Sequence, residues 1–236
     1  MTVLNHTTLI MAYYCNPAMM ERHYRLWAGL DEEVKQVLNI VIVDDGSPQE
    51  LRVPLPPSGM SLPAISIYRM LVDIRWNQDA CRNLGVDKSE TPWLLLTDMD
   101  HMVTPKLLNR LLFQTCDPRI AYRFSRVSAP MLEPYKLHPN SWFMTRRLYN
   151  RVGGYDERFA GWYGTDGDFR DRVAEKAGIV QIKDYLIRVP REVVPDASTT
   201  TYSRKTDEDG ENIKRIKKAR GQSKPIRQNF PYEQVL

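Results

Sequence analysis

The sequence predicts an α/β fold with a mixed, mostly parallel sheet flanked by helices, and two observations carry this prediction. Through about the first half of the 236 residues, short apolar runs rich in β-branched residues alternate with stretches of helical spacing, which is typical of a doubly wound sheet. Two of the runs stop abruptly in acids, at Asp44-Asp45 and at Asp98-Met99-Asp100. Ligands bind outside the carboxyl ends of strands in such sheets, so these turns are the first candidates for a functional site.

Each element of the first half is predicted from its own local pattern. Pro17 suits the first turn of a helix, with Asn16 as its cap. Thr104-Pro105 starts a later helix in the same way, and the proline-rich residues 50–63 lack any period and form a loop. The predicted strands are residues 7–12, 39–43, 64–70 and 93–97, and the predicted helices are residues 17–29, 79–86 and from 105 onward.

The second half is less regular and contains a glycine-rich, aromatic and acidic segment at residues 153–168. The helix predicted to follow this segment would have Asp166 and Asp168 at its N-terminal end, where acids also serve as ordinary caps. Within the segment, Trp162 or Tyr163 offers a flat face to a sugar ring. The surrounding predictions are a strand at 120–127, an irregular stretch at 128–140, a helix at 145–152 and a helix at 169–177.

Composition narrows the class of protein. The chain is 42% hydrophobic and 26% charged with a net charge of +4, which indicates one large core and a mild preference for anionic ligands. Three distant cysteines indicate neither a disulfide framework nor a zinc cluster and favour a reducing, cytoplasmic location. No stretch approaches the roughly 18 apolar residues of a membrane span, and the N-terminus lacks the pattern of a secretory signal. We therefore expect a protein with no transmembrane segment.

The turn at Asp98-Met99-Asp100 is the leading candidate for a metal–diphosphate site. Two carboxylates one residue apart at the end of a buried strand suit a hard divalent cation that takes oxygen ligands and keeps positions open for phosphate. His101 follows directly and is an apparent third ligand. The alternative is a solvated acidic turn, and the second acidic turn at Asp44-Asp45 favours the functional interpretation because it lies at a corresponding strand end.

Five stretches share their order with a known family. They are Ala12-Tyr13-Tyr14-Cys15-Asn16, the residues 41–47, the residues 77–85, Asp98-Met99-Asp100 and the segment 153–168. Over residues 7–177 they resemble the GT-A class of nucleotide-sugar-dependent glycosyltransferases, most closely family 2, and the last segment also resembles galactosyltransferase-like enzymes. The resemblance implies a GT-A domain at residues 1–190, with a nucleotide-sugar half (1–103) and an acceptor half (104–190), followed by a basic extension at 191–236.

The resemblance also implies roles for the donor-binding and metal-binding residues. Asp100 matches the acid that usually coordinates Mn²⁺ or Mg²⁺, and Asp98 the acid that contacts the ribose or a metal-bound water. Relatives often take a third ligand from a histidine after the catalytic base, but every histidine here precedes it, which leaves His101, Asp196 or a water. The implied nucleotide-sugar-binding residues are Ala12, Tyr13, Tyr14, Asp44, Asp45, Arg82, Asn83, Asp98 and Trp162, and the implied metal ligands are Asp98, Asp100 and His101.

Asp166 matches the general base of inverting members of the family. Thr165 and Gly167 stand where acids often stand, so Asp168 is the substitute. The resemblance thus implies metal-dependent transfer of a sugar, with a UDP-sugar favoured, to the hydroxyl of a glycan or other acceptor, with inversion; retention stays open. A nucleotidyltransferase is a rival, although no glycine-rich phosphate loop follows the first strand. The basic run 214–220 keeps nucleic acid or protein open as acceptor, and a third alternative is an inactive module that binds a nucleotide sugar or polyanion.

Overall fold

The computed structural model describes residues 4–198, 207–221 and 224–236. Within these residues, ten strands form one mixed sheet. The strands are β1 (Thr7–Tyr13), β2 (Leu38–Asp44), β3 (Ala64–Met70), β4 (Trp93–Asp98), β5 (His101–Val103), β6 (Ile120–Ser128), β7 (Glu133–Tyr135), β8 (Trp142–Thr145), β9 (Gly178–Arg188) and β10 (Tyr232–Gln234). The helices are α1 (Pro17–Ala28), α2 (Glu32–Val37), α3 (Gln78–Asp87), α4 (Pro105–Phe113), α5 (Arg146–Val152), α6 (Asp166–Lys176) and α7 (Asp207–Arg220).

The sheet runs in the order β10-β3-β2-β1-β4-β8-β6-β9-β5, with β7 paired to β6. Strands β3, β2, β1 and β4 are parallel neighbours, whereas β8 and β10 pair antiparallel to β4 and β3. β6 and β9 are again parallel. The predicted α/β class with a mixed, mostly parallel sheet flanked by helices is confirmed.

The alternation of side chains on the central strands creates a core on each face of the sheet. On β1, Leu9 and Met11 belong to one buried cluster with the apolar face of α1, while Ile10 belongs to the other, which includes residues of α3. Such double burial is what a continuous apolar strand predicts. Gly85 of α3 permits close packing on β1, because a Cβ atom there would lie 2.4 Å from Cγ2 of Ile10.

Helix starts follow the expected chemistry with one difference. Thr104 caps α4 by accepting a hydrogen bond from the backbone N–H of Leu107 at 3.2 Å. Asn16, the predicted cap of α1, makes no side-chain capping bond. The carboxylate of Asp196 caps α1 instead, accepting from the N–H groups of Ala18 and Met19 at 2.6 and 2.9 Å. A residue far away in the sequence therefore satisfies donors that the local pattern assigned to Asn16.

Several short elements were not predicted. Helix α2 and strands β5, β7 and β10 span only three to six residues each, too few to show a period. Strand β7 lies in the stretch 128–140 that was predicted to be irregular. Strand β10 lies in the predicted extension and pairs with the edge strand β3. Across residues 4–198, 207–221 and 224–236, no helix has the length and apolar character needed to cross a membrane.

Candidate active site

The ends of three neighbouring strands bring the predicted donor-site residues to one edge of the sheet. In the strand register, Tyr13 of β1 lies beside Asp44 of β2, and Ala12 lies beside Asp98 of β4. The two acidic turns therefore flank the end of β1. Gly46 makes the turn after β2 possible, because its φ of +79° is unfavourable for other residues and a Cβ atom would lie 2.4 Å from the carbonyl oxygen of Val72.

A cavity of about 210 Å³ lies at this edge. Seven of the predicted site residues line it: Ala12, Tyr13, Tyr14, Asp45, Asp98, Asp100 and His101. It also contains residues that were not predicted, namely Asn16, Trp76, Gln78, Met99, Arg126, His138, Ala197 and Ser198. Six predicted residues do not line it: Asp44, Arg82, Asn83, Trp162, Asp166 and Asp168.

The turn between β4 and β5 is held from two sides. Nε2 of His23, on α1, lies 2.8 Å from the carbonyl oxygen of Met99, and burial lowers the pKa of His23 to about 4. The neutral imidazole can therefore donate to that carbonyl. The N–H of Val189, directly after β9, donates to the carbonyl oxygen of Asp100 at 2.8 Å. These contacts fix the direction in which Asp98 and Asp100 leave the sheet.

Asp98 is clamped between a guanidinium and an imidazole. Oδ1 accepts a short hydrogen bond from the fully buried Arg82, and Oδ2 lies 3.1 Å from Nε2 of His138. Burial alone would raise the pKa of Asp98, but Arg82 and His138 outweigh it and hold that pKa well below its usual range. Asp98 is therefore ionised at neutral pH. Arg82 is a support beneath Asp98 and not a wall of the cavity.

Asp100, which is half-buried, pairs with the buried His101. Oδ1 of Asp100 lies 2.7 Å from Nδ1 of His101, and Nη1 of Arg126 lies 2.9 Å from Nε2 of His101. A guanidinium has donors only, so Nε2 accepts and the ring proton lies on Nδ1, facing Asp100. Burial opposes ionisation of Asp100, but His101 outweighs it and lowers the pKa of that carboxyl. Both ring nitrogens of His101 thus contact protein, which disfavours its predicted role as a metal ligand.

The acids after β2 differ in position. Asp44 is buried, and its Oδ1 accepts a hydrogen bond from the N–H of Ser47 at 2.9 Å; it shapes the turn. Asp45 is also buried but lines the cavity. Burial raises the pKa of both carboxyls. Of the two acids predicted to bind base or ribose, Asp45 is the one placed to do so.

Asn83 supports the glycine-rich segment from inside the fold. Its Oδ1 accepts from the hydroxyl of Tyr149 at 2.5 Å and from the N–H of Tyr155 at 2.9 Å, while its Nδ2 donates to Glu157 at 2.8 Å. Both ends of the amide are therefore occupied by protein. Asn83 was predicted to bind the nucleotide sugar, but it does not line the cavity. It fixes instead the stretch of chain that leads to Asp166.

Asp166, the predicted base, is connected to Asp98 on two sides through side-chain contacts and short stretches of chain, which together we call the contact ring. Nδ2 of Asn140 donates to Asp166 Oδ1 at 2.7 Å, and Asn140 follows His138 by two residues. Thr165 donates to Asp79 Oδ2 at 3.0 Å, and Asp79 Oδ1 accepts from Arg82 at 3.2 Å. The contact ring consists of Asp79, Arg82, Asp98, His138, Asn140, Thr165 and Asp166.

Asp168 and Trp162 do not occupy the positions predicted for them. Asp168 is buried and accepts hydrogen bonds from Arg172 at 2.9 Å and from Arg220 of α7 at 2.6 Å. Burial opposes ionisation, but Arg220 and Arg172 outweigh it and lower the pKa of this carboxyl. Asp168 thus joins α6 to α7 and is not available as a substitute base. The tryptophan that lines the cavity is Trp76, whose ring contacts that of Tyr163 in a tilted arrangement with 4.9 Å between centroids.

Solved structures with the same architecture identify the fold. GalNAc-T7 with UDP, GalNAc and Mn²⁺ matches with a TM-score of 0.67 at 12% identity, over 91% of this chain and 48% of that chain. S. aureus TarS 1–349 with UDP-GlcNAc matches with a TM-score of 0.66 at 14% identity, over 89% and 64%. The mannosyltransferase PcManGT of Pyrobaculum calidifontis with GDP-Man and Mn²⁺ matches with a TM-score of 0.56 at 15% identity, over 78% and 56%. The chain has the GT-A fold.

This likeness confirms the GT-A fold that the resemblance in the sequence implies. This chain spans 48% to 64% of the length of the three matched chains. No protein-family model matches the sequence, and no curated protein matches it significantly.

The site fits a divalent cation that is held by few protein ligands. Among the described residues, no group of three His, Cys, Asp or Glu is arranged to hold a metal ion. Asp196, a predicted alternative ligand, is occupied as the cap of α1. Asp98 and Asp100 line the cavity as oxygen donors, and one or two carboxylates completed by water and substrate phosphates are the usual ligands of Mg²⁺. The GT-A site therefore suits Mn²⁺ or Mg²⁺ only together with a phosphate-bearing ligand.

The basic run 214–220 lies on α7 and is partly used within the fold. Arg220 pairs with Asp156 at 3.1 Å and with Asp168 at 2.6 Å. Lys214 is exposed and pairs with Glu211 at 2.8 Å. A nucleic-acid contact through this run stays a prediction, and the geometry does not favour it.

Proposed function

We propose that this protein transfers a sugar from a nucleotide sugar to an acceptor hydroxyl and that Mn²⁺ or Mg²⁺ assists the reaction. The observation that carries the proposal is the meeting of two half-buried carboxylates, Asp98 and Asp100, with the ends of β1 and β2 around one cavity. The GT-A fold supports it, since the matched structures contain UDP, UDP-GlcNAc or GDP-Man. A UDP-sugar is the favoured donor.

The donor would lie with its base and ribose beside Tyr13, Tyr14 and Asp45. Asp45 is buried, and a buried carboxyl has a strong need for a hydrogen-bonding partner; the base or ribose would supply one. Trp76 offers an apolar face in the same cavity. The sugar would then point from the diphosphate toward the contact ring, where Asn140 and Asp166 lie.

Asp100 and Asp98 are the proposed metal ligands, with Asp100 first because Arg82 and His138 already engage both oxygens of Asp98. When bound, the cation would stabilise the negative charge that develops on the leaving diphosphate. Asp98 would hold the ribose or a metal-bound water.

Asp166 is the proposed general base. The hydrogen bond from Asn140 orients its carboxylate at 2.7 Å, and the contact ring holds it at a set position relative to Asp98. In a single displacement, the base removes the proton of the acceptor hydroxyl as that oxygen attacks the anomeric carbon and the diphosphate leaves. A single displacement, with the base on the face of the sugar opposite the departing diphosphate, predicts inversion. A cytoplasmic location and a glycan acceptor stay predictions from the sequence.

The first test is a screen of UDP- and GDP-sugars for release of the nucleoside diphosphate, with Mn²⁺, with Mg²⁺ and with EDTA. EDTA should abolish turnover. Asp166→Asn should lower kcat by about 10²–10⁴-fold, the usual contribution of a general base, and Asp100→Asn should abolish the stimulation by metal. Asp171→Asn is the matched control, since Asp171 lies on the same helix, is exposed and pairs with Arg170.

Two outcomes would contradict the proposal. Full activity of both Asp100→Asn and Asp166→Asn would remove the assigned roles. Binding of UDP by calorimetry without turnover of any donor, in water or with an acceptor, would instead favour a module that holds a nucleotide sugar without chemistry.

A further inference from the structure

Among the described residues, two arginines beside the cavity form no ion pair with a carboxylate. Arg126, near the end of β6, is only 6% exposed; its Nε donates to the carbonyl oxygen of Lys136 at 2.7 Å and its Nη1 to His101. Arg188, at the end of β9, is half-buried and donates to the hydroxyl of Ser128 at 3.3 Å. Within residues 4–198, 207–221 and 224–236, neither guanidinium forms an ion pair.

Both guanidinium groups contact one aromatic ring, and their residues are diagonal neighbours on β6 and β9, since Leu186 is the register partner of Arg126 and Ser128 that of Arg188. The Cζ atoms of Arg126 and Arg188 lie 4.6 and 5.1 Å from the ring centroid of Tyr135, which is 42% exposed. Burial lowers the pKa of Arg126, and the positive charge of Arg188 lowers it further while Asp100 opposes the shift. A buried cation without an ion-pair partner is costly, and the half-buried Arg188 adds a second positive charge beside Arg126 that an anion would neutralise.

The sheet order separates these arginines from the nucleotide end. The proposed nucleotide site lies at the ends of β2, β1 and β4, whereas β6 and β9 follow on the other side of β4, beyond β8. Arg188 is the register partner of His101, the residue directly after Asp100. Arg126 lines the cavity, while Arg188 and Tyr135 lie outside it. Arg126 and Arg188 thus extend outward from the acids proposed to bind the metal, away from the proposed site of the nucleobase and ribose.

We propose that Arg126 and Arg188 bind an anionic group of the acceptor, a phosphate or a carboxylate. The inference rests on the proposed function, because it assigns this side of the cavity to the acceptor. Guanidinium groups bind both oxyanions with paired N–H donors, and the Tyr135 ring holds the two groups in place by cation–π contact. The acceptor is then a phosphorylated or carboxylated compound whose hydroxyl reaches the anomeric carbon while its anion is held at the arginines.

The donor's diphosphate is the other source of an oxyanion, and the test separates the two. Binding of glycerol 3-phosphate and of glucuronate is measured by ligand-detected NMR, each against its neutral counterpart, glycerol or glucose. Every titration is done with free protein and with protein saturated with UDP and Mn²⁺. We expect the anionic compounds to bind the UDP-loaded protein at least ten-fold more tightly than the neutral ones. Arg188→Gln should remove this preference and leave the affinity for UDP within about two-fold.

Controls keep the result interpretable. Arg119→Gln removes an exposed arginine at the opposite end of β6 and should change neither titration. Arg188→Lys keeps the charge but loses the planar pair of donors, so an intermediate affinity is expected. It also serves as the test variant if Arg188→Gln does not fold by circular dichroism.

Three outcomes would overturn the inference: no preference for the anionic compounds, an unchanged preference in Arg188→Gln, or displacement of these compounds by UDP. The last outcome would assign the arginines to the donor diphosphate. Failure of the proposed function is distinct, since it is measured as absent turnover of every nucleotide sugar. Anion binding that persists in the UDP-loaded protein without such turnover would leave the two arginines as an anion site and remove only the transferase proposal.

Discussion

Replacing Arg82 with methionine is the sharpest perturbation of the contact ring, because one buried cation serves two carboxylates. Arg82 is fully buried, contacts Asp98 and Asp79, and lies 5.1 Å from the ring centroid of Tyr155. Methionine keeps much of the apolar stem and deletes the charge. Removing one partner of a buried ion pair typically costs about 3–5 kcal/mol. With native stabilities of roughly 5–15 kcal/mol, we expect Arg82→Met to fold but to unfold at clearly lower urea concentration.

The free-energy cost of Arg82→Met should depend on pH, and the direction of this dependence follows from the pKa of Asp98. Its folded pKa is depressed, mainly by Arg82 acting against burial. A depressed carboxyl contributes stability above its unfolded pKa of about 3.9, and this contribution is lost as the pH falls through the folded pKa. Without Arg82 the depression is lost, so the cost is full at pH 7 and shrinks as the pH falls below about 4 and Asp98 becomes protonated.

Urea unfolding at pH 7 and at pH 3.5 measures both quantities in the same samples. In an Asp98→Asn background, Arg82→Met should cost less, with a coupling energy of about 1–3 kcal/mol. Arg119→Met, at an exposed arginine, should leave the urea midpoint unchanged. A cost below about 1 kcal/mol at pH 7, or an equal cost at both pH values, would refute the view that Arg82 neutralises Asp98.

Two further predictions concern the same helix. Burial raises the pKa of Asp79 to about 7, so its contribution to stability is full below its usual pKa of about 4 and is lost as the pH rises through 7. Asp79→Asn should therefore make the urea midpoint depend less on pH between pH 5 and pH 8. An unchanged pH profile would contradict the raised pKa. Gly85→Ala places a Cβ atom 2.4 Å from Ile10 and should cost about 1–3 kcal/mol, lowering the Tm by calorimetry, whereas Gly29→Ala, with its nearest atoms at 3.6 Å, should not.

Strand ends were predictable from the sequence because local patterns encode them. The third strand has the predicted bounds, residues 64–70, and the acids after β2 and β4 flank one strand end. The choice between Asp166 and Asp168 was not encoded in this way. Residues two positions apart on a helix lie about 200° apart around its axis, so at most one of them could face an acceptor. Which one does so depends on Arg220 and Asn140, whose contacts are tertiary.

Residues that hold the proposed catalytic groups come from parts of the chain that show no periodic pattern. His138, which contacts Asp98, and Asn140, which orients Asp166, both lie in a stretch that was predicted only to be irregular. A short loop segment can make both contacts because its ends are fixed by strands: β7 pairs with β6, and β8 pairs with β4, the strand that carries Asp98.

The sheet therefore determines, through this one loop, how far the proposed metal ligand lies from the proposed base. The strand or helix that carries each carboxylate does not determine this distance by itself. Sequence patterns report which residues alternate on a strand or share a helix face. They contain no information on a loop whose conformation depends on two distant strands. For this reason the acids of the proposed chemistry were predicted from the sequence, as was Arg82, whereas the loop residues His138 and Asn140, which contact Asp98 and Asp166, were found only in the structure.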